Sequence, residues 1–310
     1  MLACAMMIRS LALLLAFVAV PASALEVRFE RIDEGVYAYI GDLGPRTADN
    51  QGLNANIGLV VTSAGAVLID SGATLNSARI IHEGVKKVTT QPVRWVINTG
   101  GQDHRWLGNG YFKAQGAEII AHATATTDMQ SRGGDHLAGL QRLLGDGAAG
   151  TVPTLPTRVL NGDDSRLQLG GIVFEVKYRG GAHTPGDVFV WLPEKRALFA
   201  GDIVYVDRLL AVIPVSSTKA WLESFTAIER LSPLHIVPGH GRATTVAAAR
   251  SQTRDYLAAM RAHMKRAVDN GTDLEEAVRT FDTLPYVDMR NASELMPANS
   301  NRVYLEMERE

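Results

Sequence analysis

Apolar and polar positions alternate over residues 27–31, residues 35–40 are a run of small apolar, β-branched and aromatic side chains, and Asp33-Glu34 lies between them. That pattern predicts two short strands joined by a turn. Residues 58–61 and 66–69 predict a second pair around Ser63-Ala64-Gly65, and Asp70-Ser71-Gly72 ends the run. Residues 75–87 carry apolar side chains at helical spacing, and 94–97 form a short β-branched strand that runs into a loop at 98–101. Beyond it the text predicts helix over 111–115, strand over 118–120, and two helices over 123–130 and 136–144. A stretch rich in Gly, Pro and Thr over 145–156 marks a break between two halves. The second half repeats the style, with strands near 166–169, 172–178, 188–192, 197–200 and 235–237. It also carries a helix over 219–231, a long helix over 247–268 and a shorter one from about 273. Strands followed by helices, twice over, suggest two packed sheets with helices outside.

The first 24 residues follow another rule. Arg9 is their only charge, an apolar run spans 11–20, and Pro21 precedes Ala22-Ser23-Ala24. This is the form of a secretory leader cleaved after Ala24, and it predicts a periplasmic or secreted protein. The apolar run is about half the roughly 20 residues that a membrane span needs, so no membrane association is expected once the leader is removed. Lys and Arg number 31 against 33 Asp and Glu, a balance that excludes a nucleic-acid footprint. The single cysteine, Cys4, lies in the leader, so any metal site in the mature chain must be built from His and carboxylate.

Three motifs of the second half each put one metal-type ligand on a loop at a strand end: Gly181-Ala182-His183-Thr184-Pro185-Gly186-Asp187, then Leu198-Phe199-Ala200-Gly201-Asp202, then Ile236-Val237-Pro238-Gly239-His240-Gly241. Rigid strands that aim loop ligands at one point are a common way to build an open metal site. Together with Leu68-Ile69-Asp70-Ser71-Gly72, these motifs resemble the metallo-β-lactamase superfamily over residues 27–241. The resemblance implies an α/β fold, an αβ/βα sandwich of two mixed β-sheets flanked by helices. It implies hydrolysis of a small-molecule substrate by water activated on one or two metal ions, usually zinc. His183 would ligate the first ion, Asp202 would bridge both, His240 would ligate the second, and Asp70 would support the site loop from behind.

The chain departs from the family in the first half. Where the family has His-x-His-x-Asp-His, this sequence reads Asn98-Thr99-Gly100-Gly101-Gln102-Asp103-His104-Arg105. Matched without a gap, Gly100 and Gln102 replace the leading histidines, His104 takes the Asp place and Arg105 the last His. Slipped by one residue, Thr99 and Gly101 replace the histidines while Asp103-His104 matches Asp-His. The slipped register is preferred because it gives Asp103 and His104 a chemical purpose. Either way the first site keeps only two ligands, too few for zinc. The expectation is therefore one ion, zinc or another divalent transition metal, held by Asp103, His104, Asp202 and His240, with His183 at the depleted position. In this reading Asp103 orients the attacking water and takes its proton, and Arg105 holds an anionic group of the substrate. Two rival readings stand beside it: a metal-free pseudoenzyme or binding module on the same fold, and a metal-independent enzyme using Arg105 and His183. The expected organisation is a leader over 1–24, a metallo-β-lactamase-like domain over 25–245 and a helical extension over 246–310 packed on it. The sequence is silent on oligomeric state.

Overall fold

The computed structural model describes residues 25–310, and the leader read over 1–24 lies outside the described residues. The first sheet holds seven strands in sequence order: β1 (Glu30–Asp33), β2 (Val36–Tyr39), β3 (Ile57–Thr62), β4 (Gly65–Ile69), β5 (Val93–Ile97), β6 (Glu118–His122) and β7 (Arg158–Leu160). The first four strands pair antiparallel and the rest parallel. The second sheet holds five strands, β8 (Asp164–Leu169), β9 (Ile172–Tyr178), β10 (Val188–Leu192), β11 (Ala197–Phe199) and β12 (His235–Val237), in the order β12-β11-β10-β9-β8. Only β11 and β12 are parallel there.

Alternation along the central strands explains the layering. In β10, Val188, Val190 and Leu192 enter the core between the sheets, while Phe189 and Trp191 enter the outer core under helices. In β4, Val67 and Ile69 face inward while Ala66 and Leu68 face the opposite side. A strand with apolar residues on both faces is stable only when both faces are covered. Helices α1 (Leu75–Val88), α2 (Asp103–Trp106), α3 (Asn109–Ala114) and α4 (Ala123–Leu144) belong to the first half. The second half carries α5 (Thr218–Leu231), α6 (Val246–Ala249), α7 (Asp255–Asp269), α8 (Leu274–Thr280) and α9 (Ala292–Met307). Two mixed sheets packed face to face between helical layers make the expected αβ/βα sandwich.

The chain differs from its predicted elements in several places, among them the unpredicted α2. The two helices expected over 123–144 are one continuous helix that runs through Gly133-Gly134. Gly133 is required by packing, because a Cβ there would stand 2.9 Å from the fully buried Trp106 ring. Residues 158–160 form edge strand β7, which parallel pairing with β6 stabilises and which local pattern did not reveal. The long helix expected over 247–268 is divided by a π-turn at Arg250–Arg254. The last helix, α9, contains Pro297 and was not predicted. It belongs to the same core as α5, α7 and the outer face of the second sheet, where Met296, Val303 and Met307 pack with Trp221, Tyr256 and Met260. No helix among the described residues is long and apolar enough to cross a membrane.

Candidate metal centre

The site assembles at one edge of the sandwich, where loops leave β4, β5, β11 and β12. Asp202 sits in the short turn after β11, and both its oxygens are taken. Arg105, projected from α2, donates from Nη2 to Oδ1 at 2.5 Å and from Nε to Oδ2 at 3.1 Å. The same guanidinium donates from Nη1 to Asp70 Oδ2 at 3.0 Å and to the Asn56 carbonyl at 3.2 Å, and from Nη2 to the Gly239 carbonyl at 3.1 Å. All five N–H donors of Arg105 are thereby committed inside the protein. Burial opposes its charge, but the carboxylates of Asp202 and Asp70 outweigh burial and hold it protonated. Gly239 allows this approach, because a Cβ there would lie 2.6 Å from Nη2.

His104 and His240 flank Asp202. His104 Nε2 lies 3.0 Å from Asp202 Oδ2, and His240 Nε2 lies 3.3 Å from Oδ1. His104, Asp202 and His240 each offer one ligand atom within 4.8 Å of the others, and all three residues are buried. The tautomers are fixed from behind. His240 Nδ1 lies 2.7 Å from the Asn54 carbonyl and His183 Nδ1 lies 2.7 Å from the Ala211 carbonyl. A carbonyl only accepts, so each Nδ1 carries the proton and each Nε2 presents a lone pair. Burial pushes the His240 imidazole well below the usual histidine range and His183 down to about 4, so both are neutral at pH 7. Burial would raise Asp202, but Arg105 and His104 hold its carboxyl well below the usual range. His240 Nε2 and Asp202 Oδ1 are therefore two acceptors facing each other across 3.3 Å. That arrangement is stable when a cation shares them, so the donor set fits one metal ion.

The remaining sequence candidates fall as follows. Asp70, at φ 67° at the end of β4, accepts from the Thr99 amide at 2.7 Å and its hydroxyl at 2.8 Å, and it reaches the cluster only through Arg105. Asp103 is not brought into the cluster. Its Oδ2 pairs with Arg46, its Oδ1 accepts from the His104 amide at 2.8 Å, and the same oxygen lies 3.4 Å from His104 Nδ1. The reason is helical: on the short α2, successive residues point about 100° apart, so with His104 and Arg105 on Asp202, Asp103 turns away. This geometry follows the register without a gap, against the slipped one. A Cβ on Gly100 would meet Asp187 Oδ1 at 2.2 Å on the His183 loop, whereas one on Gly101 would meet Asp128. Arg105, expected to hold substrate, has no donor left to do so. Asp187 accepts from the Thr184 amide and hydroxyl and braces the His183 loop.

Three supporting residues went unread in the sequence. Asn56 donates to the Pro238 carbonyl at 2.9 Å and the Gly241 carbonyl at 2.7 Å, clamping the turn that carries His240. Asn54 supplies the carbonyl that sets the His240 tautomer. Asn299, from α9, bonds Leu210 O and Val212 N at 2.8 Å each, the two neighbours of the carbonyl that holds His183. The Asn54-Ala55-Asn56 repeat before β3 was the one available signal, and α9 offered none.

Two facing mixed sheets with a His-Asp-His cluster at the loop edge define a metallo-hydrolase-like protein. The metallo-beta-lactamase superfamily profile matches residues 50–240, more than half of the chain, and the chain belongs to that superfamily. The chain is 26% identical over 219 residues to a metallo-beta-lactamase type 2 of Elizabethkingia meningoseptica, covering 69% of this chain and 79% of that protein. It is 24% identical over 178 residues to the 2,4-dinitroanisole O-demethylase subunit alpha of a Nocardioides species, covering 57% of this chain and 49% of that one. Among solved structures, the metallo-beta-lactamase of Pontibacter korlensis aligns with TM-score 0.60 at 22% identity, over 75% of this chain and 99% of that one. The sec-alkyl sulfatase PisA1 aligns with TM-score 0.72 at 18% identity, over 90% of this chain and 50% of that one. The family and the donor cluster support a metal-dependent, hydrolase-like role on a small-molecule substrate.

Proposed function

We propose that the protein is an exported hydrolase with a single divalent transition metal, zinc by the chemistry of its ligands, held by His104, Asp202 and His240. The observation that carries this reading is the pair of facing acceptors, His240 Nε2 and Asp202 Oδ1, with a second imidazole beside them. A metal bound there supplies Lewis acidity and lowers the pKa of water toward neutrality. The chain's own residues do the rest. Arg105 holds the Asp202 carboxylate rigid and ionised, Asp103 accepts from the His104 backbone amide at the start of α2, and Asn56 with Asn54 fixes His240 in the ligating tautomer. A second ion lacks ligands, since Gly100 and Gln102 offer no imidazole and His183 stands outside the cluster. Export rests on the form of residues 1–24, and the absence of cysteine after the leader suits an oxidising compartment.

Metal-to-protein stoichiometry on exported protein, purified without chelator or His-tag, tests this. Close to one ion per chain is expected, and Asp202→Ala or His240→Ala removes it while His183→Ala weakens it less. Two tightly held ions would break the ligand assignment.

One observation favours a second reading, a metal-free binding module. Arg105 already neutralises Asp70 and Asp202 and takes both oxygens of Asp202, as an internal cation would. An ion content of zero with intact fold would select it.

A further inference from the structure

Among the described residues, six enclosed side-chain polar atoms have no hydrogen-bond partner, and three of them belong to the neighbourhood of Asp103: Gln102 Oε1, His104 Nδ1 and His136 Nδ1. Folded chains leave few such groups, and each calls for an explanation. For His104 one is at hand, since its Nδ1 lies 3.4 Å from Asp103 Oδ1. Gln102 and His136 have none. Both line a cleft of about 470 Å³, together with Arg46, Asp103, Leu140 and Leu143. It opens between the 42–53 loop, the start of α2 and the second half of α4. This is the side of α2 that Asp103 faces, away from Asp202.

The orientation of Gln102 is fixed. Its Nε2 lies 3.3 Å from Asp103 Oδ1, and a carboxylate only accepts, so the NH2 faces it and Oε1 points elsewhere. Oε1 is therefore an acceptor that lacks a donor. Burial lowers the basicity of His136, so at pH 7 its ring is neutral and carries one donor and one acceptor. The guanidinium of Arg46 makes one hydrogen bond among the described residues, to Asp103. Both enclosed atoms sit one soft torsion from the cleft, because the last torsions of Gln and His have broad wells. The charges of the cleft balance: Arg46 against Asp103, and exposed Arg142 against exposed Asp135. An ion entering here gives up hydration and meets no uncompensated opposite charge, whereas a neutral group gives up less. Leu140 is buried and Leu143 is 51% exposed, so an apolar wall stands beside the polar groups. A cleft of this size suits a small organic molecule.

We propose that this cleft binds a neutral aliphatic alcohol. A hydroxyl is the smallest group that donates to Gln102 Oε1 and accepts from Arg46 or His136 through a single atom, and the hydrocarbon part lies on Leu140 and Leu143. Water satisfies the polar half of the cleft and leaves the apolar wall wet. A planar amide must place its N–H and C=O at two fixed points, and a carboxylate or an ammonium gains nothing from a balanced set of charges. The site is separate from the metal cluster, because the His104 ring stands between them, with Nδ1 toward Asp103 and Nε2 toward Asp202. It does not depend on the hydrolytic reading above.

Titration of 15N-labelled protein, as purified, with 1-pentanol, followed by NMR, tests the proposal. Saturable shifts are expected at the Gln102 side-chain amide and along residues 135–143. Pentanamide, pentanoate and pentylammonium are each expected to bind more weakly than the alcohol. Gln102→Leu removes the acceptor and is expected to weaken binding about threefold to tenfold. Gly139 also lines the cleft, and a Cβ there meets nothing nearer than 4.0 Å, so Gly139→Leu fills the space without a clash and suits the helix better than glycine. It is expected to weaken binding about tenfold or more. Arg302→Gln, on α9 and outside the cleft, is expected to leave affinity unchanged. So is treatment with a chelator, which separates this site from the metal cluster. Shifts that do not saturate would overturn the proposal. Equal or tighter binding of any of the three analogues would do the same, as would unchanged affinity in folded Gln102→Leu or Gly139→Leu, or loss of binding after chelation. If Gln102→Leu does not fold, Gly139→Leu decides alone. A protein that holds no metal and still binds the alcohol would sink the metal reading and leave this one standing.

Discussion

The two halves of the molecule build their ligand loops to different standards. The second half presents His183, Asp202 and His240 from three strand-end turns whose sequence suits metal ligation, and the geometry brings Asp202 and His240 into the cluster. The first half presents one imidazole, His104, and beside it a guanidinium. Arg105 covers the negative charge of Asp70 and Asp202 that the site would otherwise leave for metal. A buried pair of carboxylates demands a cation, and the demand is met here by a side chain with all its donors used.

The sharpest way to break this comparison is Arg105→Ala. It strands two buried carboxylates, and a loss of about 3–5 kcal/mol in denaturant unfolding of chelator-treated protein is expected. A neutral result would mean that another cation takes over the role of Arg105. Acid titration probes the second half. His183 stays neutral down to about pH 4 in the folded chain, whereas its ordinary value is 6.5. Between these values the unfolded chain binds more protons, so stability falls as pH drops from about 6.5 toward 4, by at most about 3 kcal/mol for this group. In His183→Gln, thermal melts of metal-free protein across that window should show a shallower slope.

A smaller effect is expected at Asn299. Asn299→Ala leaves Leu210 O and Val212 N without their buried partners, which costs about 1–3 kcal/mol. Metal stoichiometry should not change, because the residue acts on the His183 loop and not on the cluster. Loss of the ion in this variant would bring His183 into the metal site and erase the distinction drawn between the halves. The smallest effect is expected from Asp103→Asn. The amide keeps an acceptor near His104 Nδ1 but loses the charge, and metal affinity measured by competition with a chelator should fall about tenfold. A total loss would restore Asp103 as a ligand and with it the slipped register.

The sequence by itself determined the fold class, through strands whose two-sided apolar pattern requires cover on both faces. It also determined the three second-half motifs, because each is a short local string: strand, glycine, ligand. Asp202 and His240 were legible for that reason. Tertiary structure alone decided which residues of the first-half loop face the cluster. The text at Asp103-His104-Arg105 allows two registers that differ by one residue, and a helical turn of about 100° per residue sends neighbours to different partners. Packing of α2 against Asp202, Asp70 and the Gly239 turn selected His104 and Arg105 and turned Asp103 toward Arg46. The clamps from Asn56 and Asn299 were equally beyond reach. They bridge 182 and 89 residues of chain to bond backbone groups, and no local pattern encodes a partner that distant.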